Sequence, residues 1–224
     1  MCYHYAIKAE KKDIEQKVGL LFDDNNSWES TIKTNCFSSP LLPVVVNDSK
    51  NKLKLLKWGL VPHWVNDKNI TLNMANAMCE GIFEKPSWRI PIIKNRCLIP
   101  ATGFYEWKTE GNKKIPYFIY LPNQPIFYFG GIWDRWTDKK SGETIESFSI
   151  ITTPANKLME EIHNTKKRMP LIISNDIAFN WLQNDLDKNK IRSFLIPFDT
   201  ELMKAEKVLE SPKKDNNPGT LTLF

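Results

Sequence analysis

The feature that most constrains the fold is a series of short apolar runs between residues 96 and 153. Each run is rich in aromatic and β-branched residues, as strands are. The runs cover residues 97–108, 115–121, 126–136 and 144–153. Turn-forming residues separate them at Glu110-Gly111-Asn112, Pro122-Asn123-Gln124 and 138–142. This pattern predicts a strand meander.

The rest of the chain adds strands and a few short helices. Further strands are predicted at residues 1–8, 40–46, 53–58 and 168–173, and helices at 9–17, 153–163, from 176, and 187–194. Thr153 is predicted to be a helix N-cap with Pro154 at the first helical position, and Asp176 to cap the next helix. We therefore expect one β-rich α+β domain over residues 1–209 and a polar tail over 210–224.

Composition narrows the class of protein. With 224 residues, 42% of them hydrophobic and 25% charged, the chain matches an ordinary globular protein with one core. The four cysteines and three histidines show no CxxC or HxxxH spacing, so no metal site is expected. The sequence has no Gly-rich phosphate loop, so no cofactor is expected either. No signal peptide or apolar run of membrane length is visible, so a cytoplasmic monomer is expected. The net charge of +5 favours a polyanionic partner only weakly.

A carboxylate lies among aromatic side chains in Phe104-Tyr105-Glu106-Trp107. On a strand, Glu106 shares a face with Phe104 and Lys108, and its two neighbours point the other way. One interpretation is an ordinary outward glutamate. The other is a general acid or base whose pKa is raised by apolar neighbours. The segment alone leaves both open.

Cys2 follows the initiator methionine. Removal of Met1 places an α-amine and a thiol on adjacent carbons, and both have pKa values near neutrality in peptides. Such a 1,2-aminothiol reacts with an aldehyde by forming an imine, to which the thiol adds to close a thiazolidine ring. The alternative is a cysteine that occupies a strand by chance.

Three further features have both structural and functional interpretations. The segment Trp58-Gly59-Leu60-Val61-Pro62-His63-Trp64 is either a core plug under a loop or an aromatic wedge for nucleic-acid bases. Asn76 is either a cap or turn residue or a polar group in a site, and His163 is either structural or an acid–base group.

Together these segments resemble the SRAP (SOS response-associated peptidase) family, whose members shield abasic sites in DNA. The matching motifs occur in the family's order over residues 1–175. They are Met1-Cys2, Trp58 to Trp64, Asn76-Ala77 with Glu80, Lys85-Pro86-Ser87-Trp88-Arg89, Arg96 to Trp107, Thr152 to Asn156, and His163 with Arg168-Met169-Pro170. The chain departs from the family pattern at Tyr3-His4, where Gly-Arg is usual, and at Met78, where Arg is usual.

The resemblance implies mixed sheets curled into a barrel-like core with flanking helices, and a cleft that binds single-stranded DNA. It implies that Cys2, exposed by loss of Met1, links covalently to the ring-opened aldehyde of an abasic site. The family's functional Asn, Glu and His fall on Asn76, Glu106 and His163. The positions expected to contact DNA are His4, Pro62, Trp64, Met78 and Arg168.

Two rival functions remain. A cysteine peptidase would use Cys2 as nucleophile and His163 as base on other proteins. A non-catalytic module would bind single strands through Trp64 and lysines alone.

Overall fold

The predicted meander forms the wall of a β-barrel. A computed structural model describes residues 2–23, 28–48, 51–66 and 74–208. In chain order its strands are β1 (His4–Ile7), β2 (Thr31–Asn35), β3 (Leu41–Val46), β4 (Lys52–Trp58), β5 (Asn76–Met78), β6 (Arg96–Ala101), β7 (Gly103–Glu110), β8 (Lys113–Tyr120), β9 (Phe127–Thr137), β10 (Thr144–Pro154), β11 (Arg168–Pro170), β12 (Ile172–Ile173) and β13 (Lys204–Lys207). The α-helices of the described residues are α1 (Lys11–Val18), α2 (Pro91–Lys94), α3 (Lys157–Ile162) and α4 (Lys188–Phe194).

Five strands close on themselves in the order β10-β4-β3-β6-β9, because β9 also pairs with β10. Three shorter strands extend this barrel: β5 and β11 pair with β10, and β12 pairs with β9. Closure leaves these five strands without a free hydrogen-bonding edge. Apolar side chains such as Val44, Leu98 and Phe148 are fully buried in the core.

A second sheet lies beside the barrel in the order β13-β8-β7-β1-β2. Tyr5 on β1 packs edge-on against Trp58 of β4, with ring centroids 5.1 Å apart, and this contact joins the two sheets. The chain crosses between the sheets at Thr102, whose amide donates to the carbonyl of Ala6 (2.9 Å). The second sheet therefore places the start of the chain next to β7.

The structure confirms a single β-rich α+β domain with a barrel core. The predicted strand 97–108 is in fact two strands, β6 and β7, because the backbone leaves the barrel at Thr102 and enters the other sheet. Three strands were not predicted: β2 and β13, which carry polar residues at the sheet edges, and the three-residue strand β5. The predicted tail, 210–224, lies outside the described residues.

Both predicted caps at Thr153 and Asp176 are wrong. Strand β10 continues to Pro154, paired with Arg168, and the helix begins after Asn156, whose side chain accepts from the amide of Met159. Pro154 is tolerated because it ends a strand. Beyond Asp176 the chain forms a 3₁₀ helix, Ala178–Leu182, with no side-chain cap. Among the described helices, none has the length and apolar character needed to cross a lipid bilayer.

Candidate active site

Cys2 lies beside β7, next to the carboxylate of Glu106. Strand β1 pairs with β7 in a register that sets His4 opposite Tyr105, so the residues just before β1 meet the middle of β7. The Cys2 side chain is fully buried, and its thiol donates to the carbonyl of His4 (3.7 Å). Burial, and secondarily the charge of Glu106, raise the pKa of the Cys2 thiol well above its usual range. The buried thiol is therefore protonated and needs a base to react.

Glu106 is a buried carboxyl group with a shifted pKa. Its side chain is 5% exposed, and burial raises its pKa from 4.5 to about 7. Removal from water penalises the charged carboxylate, so the carboxyl group keeps its proton to a higher pH. At neutral pH the group is divided between its two forms, which suits a general acid–base.

His163 faces Glu106 from the C-terminal end of α3. Its Nδ1 lies 2.8 Å from the carbonyl oxygen of Arg168. A carbonyl only accepts, so Nδ1 carries the hydrogen and the lone pair of the neutral ring is on Nε2. That nitrogen is 3.8 Å from Oε2 of Glu106, close enough for charge coupling but longer than a direct hydrogen bond. Burial lowers the pKa of His163, so the neutral ring is favoured.

The end of α3 is attached to the strand that carries Glu106. The side chain of Asn164 accepts from the amide of Thr109 (3.1 Å) and donates to the carbonyl of Thr109 (2.8 Å). This pair of bonds ties the residue after His163 to β7. The distance between Glu106 and His163 is thus set by the contact of α3 with the second sheet.

Asn76 approaches Cys2 from the barrel. It begins β5, opposite Ile150 of β10. Its Nδ2 donates to the carbonyl of Cys2 (3.0 Å), while its Oδ1 is buried and has no hydrogen-bond partner among the described residues. A buried acceptor of this kind costs about 1–3 kcal/mol when unpaired. Oδ1 is thus an acceptor available beside Cys2.

A cleft of about 540 Å³ opens over Glu106 and His163, whereas Cys2 and Asn76 are buried and do not line it. Glu106 and His163 lie on its wall, and the other lining residues include Tyr3, His4, Trp107 and Lys114. The ring of His4 packs edge-on against Trp107 (4.9 Å between centroids). The cleft is large enough for a sugar and its neighbouring phosphates, and it leads to Glu106 and His163.

The five positions expected to contact DNA have different surroundings. Trp64 is 51% exposed and Met78 is 37% exposed, while His4 is half-buried on the cleft wall. Pro62 is buried. Arg168 is also buried, and its guanidinium donates to the carboxylate of Glu80 and to the carbonyl of Thr152 (2.5 Å).

Lysines on the cleft wall were missed in the sequence. Lys114 and Lys166 are both exposed and both line the cleft. Lys114 lies opposite Thr109 in the hairpin of β7 and β8. The turn at Glu110-Gly111-Asn112 was the available signal, because the hairpin register follows from it.

The sequence matches a known family and several known proteins. The family model described as "SOS response associated peptidase (SRAP)" matches residues 1–212. The chain is 39% identical over 224 residues to the abasic site processing protein YoqW of Bacillus subtilis, covering 97% of each chain. It is 30% identical over 158 residues to the abasic site processing protein HMCES of Xenopus tropicalis, covering 61% of this chain and 46% of that one.

Solved structures of other proteins show the same fold. A crystal structure of a protein from Bacteroides thetaiotaomicron superposes with a TM-score of 0.89 at 40% identity, over 93% of each chain. A protein from Bordetella bronchiseptica shares the fold, with a TM-score of 0.78 at 21% identity, over 93% of this chain and 100% of that one. The chain belongs to the SOS response-associated peptidase (SRAP) family.

Proposed function

We propose that this protein processes abasic sites in single-stranded DNA by forming a covalent thiazolidine between Cys2 and the abasic-site aldehyde. The observation that carries the proposal is the convergence of four side chains from distant parts of the chain on one buried point. Cys2 lies beside Asn76 and Glu106, and Glu106 lies beside His163. The names of relatives in Bacillus subtilis and Xenopus tropicalis support abasic DNA as the substrate.

The reaction begins with the loss of Met1, which adds one water across the Met1–Cys2 peptide bond and frees the amine of Cys2. Cys2, Glu106 and His163 also serve this step, so the protein acts as a peptidase on its own Met1. Asn76 holds the carbonyl of Cys2 through Nδ2 (3.0 Å). Its unpaired Oδ1 is then an acceptor for the new amine or for a hydroxyl of the open sugar.

The amine of Cys2 next attacks the aldehyde carbon, and loss of one water gives an imine. The departing oxygen needs a proton, which Glu106 can supply because burial raises its pKa to about 7. The thiol then adds to the imine carbon as its proton passes to the imine nitrogen. The raised pKa of the Cys2 thiol makes a base necessary in this step, and the carboxylate of Glu106 is adjacent. Proton transfers to and from the protein cancel, and one water is released.

His163 completes the proton path. Because its Nδ1 is held by the carbonyl of Arg168, the lone pair on Nε2 faces Glu106. A neutral imidazole there can accept the proton of Glu106 and return it. His163 therefore adjusts the protonation of the carboxyl group through the cycle.

The test is a time course with an abasic oligonucleotide, without reductant, on a denaturing gel. The parental protein is expected to give a heat-stable adduct, whereas Cys2→Ser is expected to bind DNA and form none, because ring closure needs thiol and amine on one residue. Mass spectrometry should find Met1 absent from the adduct. A stable adduct with Cys2→Ser would exclude the thiazolidine. Cleavage of an unrelated peptide would instead favour a general peptidase, and binding without any adduct would favour a non-catalytic module.

A further inference from the structure

A second polar cleft, of about 340 Å³, lies at the turn between β9 and β10. His63, Asn66, Lys139 and Lys140 line it, together with the edge of the buried Trp136. His63 directly precedes the exposed Trp64 in the chain. None of these cleft residues belongs to the group around Cys2.

The ring of His63 is held by a buried carboxylate. Oδ2 of Asp134 accepts from the amide of His63 (2.9 Å) and from Nδ1 of its ring (2.8 Å). The side chain of Asp134 is only 6% exposed, whereas that of His63 is 43% exposed. Because Nδ1 is used by the carboxylate, Nε2 is the ring nitrogen available to a ligand. That nitrogen donates to an anion when the ring carries a hydrogen on both nitrogens, because Nδ1–H is already used by Asp134.

The loop that carries His63 is braced against the barrel. The indole of Trp136 donates to the carbonyl of Val65 (2.8 Å), and the amide of Val61 donates to the hydroxyl of Ser147 (2.7 Å). Both partners on the barrel side belong to β9 or β10. The ring of His63 is therefore set in place before any ligand arrives, which lowers the ordering cost of binding.

The turn opposite His63 supplies two cations. Lys139 and Lys140 are exposed. The nearby carboxylate of Asp138 accepts from the amides of Lys140 (2.7 Å) and Ser141 (2.8 Å), so it serves the turn itself. A rigid imidazole with two flexible ammonium groups suits a singly charged phosphodiester, which offers oxygens on several sides.

We propose that His63, Lys139 and Lys140 form a phosphate-binding subsite for the backbone of the DNA strand, beyond the nucleotide that reacts with Cys2. This proposal rests on the proposed function. The exposed Trp64, which directly follows His63, stacks the base next to the phosphate that the subsite holds. The subsite adds affinity and takes no part in the covalent step.

The test compares salt dependence of binding to unmodified single strands of increasing length. His63→Asn keeps an amide donor for Asp134 but removes the nitrogen at the Nε2 position. Because the subsite holds one phosphate, the magnitude of the slope of log K against log salt should fall by about 0.7 at most, both for this variant and for Lys139→Ala with Lys140→Ala. The matched control, Lys188→Ala with Lys190→Ala on the exposed face of α4, should keep the parental slope.

The strand length separates local from general effects. Parental and His63→Asn proteins should bind the shortest strands equally and differ once the strand reaches the subsite. Equal slopes for all proteins, or an equal loss in the α4 control, would overturn the subsite. The rate of adduct formation on the shortest reactive abasic strand should be the same for His63→Asn as for the parent. A parent that neither crosslinks nor binds single strands would reject the proposed function itself.

Discussion

Burial shifts the pKa values of Glu106 and His163 in opposite directions. The carboxyl group of Glu106 rises to about 7, and the pKa of His163 falls from its ordinary value of 6.5. A proton is therefore favoured on Glu106 over His163, which leaves the ring neutral, and proton exchange between the two groups starts from Glu106 as the donor. The carbonyl of Arg168 contributes by holding the hydrogen of His163 on Nδ1.

Replacement of Glu106 by Gln tests this exchange. Gln keeps the shape and hydrogen-bonding reach of the side chain but cannot transfer the proton. Adduct formation should slow by about 10²–10⁴-fold, with little change in DNA affinity. A quantitative gel time course measures the rate of adduct formation. Crosslinking at the parental rate would show that Glu106 has only a structural role.

The pH dependence of the stability of Glu106→Gln tests whether the pKa of Glu106 is raised. The pKa of Glu106 is raised on folding, so the folded state binds this proton more tightly than the unfolded chain. Its stabilising contribution is complete below pH 4.5 and is lost as the pH rises through about 7. Glu106→Gln should thus gain stability relative to the parent between pH 4.5 and pH 7. His163 contributes to the pH dependence of stability with the opposite sign, and it does so in both proteins. Comparing the two proteins therefore reduces its effect on the result.

At the scale of elements, the position of His163 depends on how α3 begins and ends. The helix is short, Lys157–Ile162, and His163 is its C-cap. At the other end, Asn156 accepts from the amide of Met159 (3.0 Å) and donates to the carbonyl of Phe198 (2.8 Å). The N-cap thus joins α3 to the chain that precedes β13.

Asn156→Ala should lower the free energy of unfolding by about 1–2 kcal/mol, because it removes the cap and the bond to Phe198. Asn156→Asp keeps an acceptor for the cap and loses only the donor, so it should cost less. Urea unfolding measures both variants. An unaffected Asn156→Ala protein would contradict the capping role.

At the scale of the whole molecule, the barrel and the second sheet together assemble the site. Gly131 lies inside the barrel wall, where it pairs with Cys97 on one side and Ile150 on the other. A Cβ atom there would lie 2.5 Å from Cδ1 of Ile99 and 2.7 Å from the carbonyl oxygen of Ser149. Neither the strand carbonyl nor the packed isoleucine can yield easily.

Gly131→Ala should therefore destabilise the fold by about 3 kcal/mol, at the upper end of the range for overpacking. Gly81→Ala is the matched control, because its new Cβ would meet only the flexible side chain of Lys85, at 3.4 Å. Thermal and urea unfolding should show a large shift for the first variant and a small one for the second. Equal shifts would mean that barrel closure does not depend on Gly131.

The sequence by itself determined the β-rich class, most strands of the meander and the identity of the residues that meet at the site. Alternating apolar residues and turn residues are local signals, so the hairpin of β7 and β8 and the helix α4 could be predicted. The motif order over residues 1–175 indicated the family without any structure.

Only the tertiary structure decided the surroundings of these residues. The split of residues 97–108 at Thr102, the extension of β10 to Pro154 and the strand β13 all depend on pairing with distant partners. The raised pKa of Glu106 depends on burial by several elements, and the position of the lone pair of His163 on Nε2 depends on the carbonyl of Arg168. Local sequence encodes which groups are present, whereas burial and long-range hydrogen bonds set their protonation, because both depend on neighbours far away in the chain.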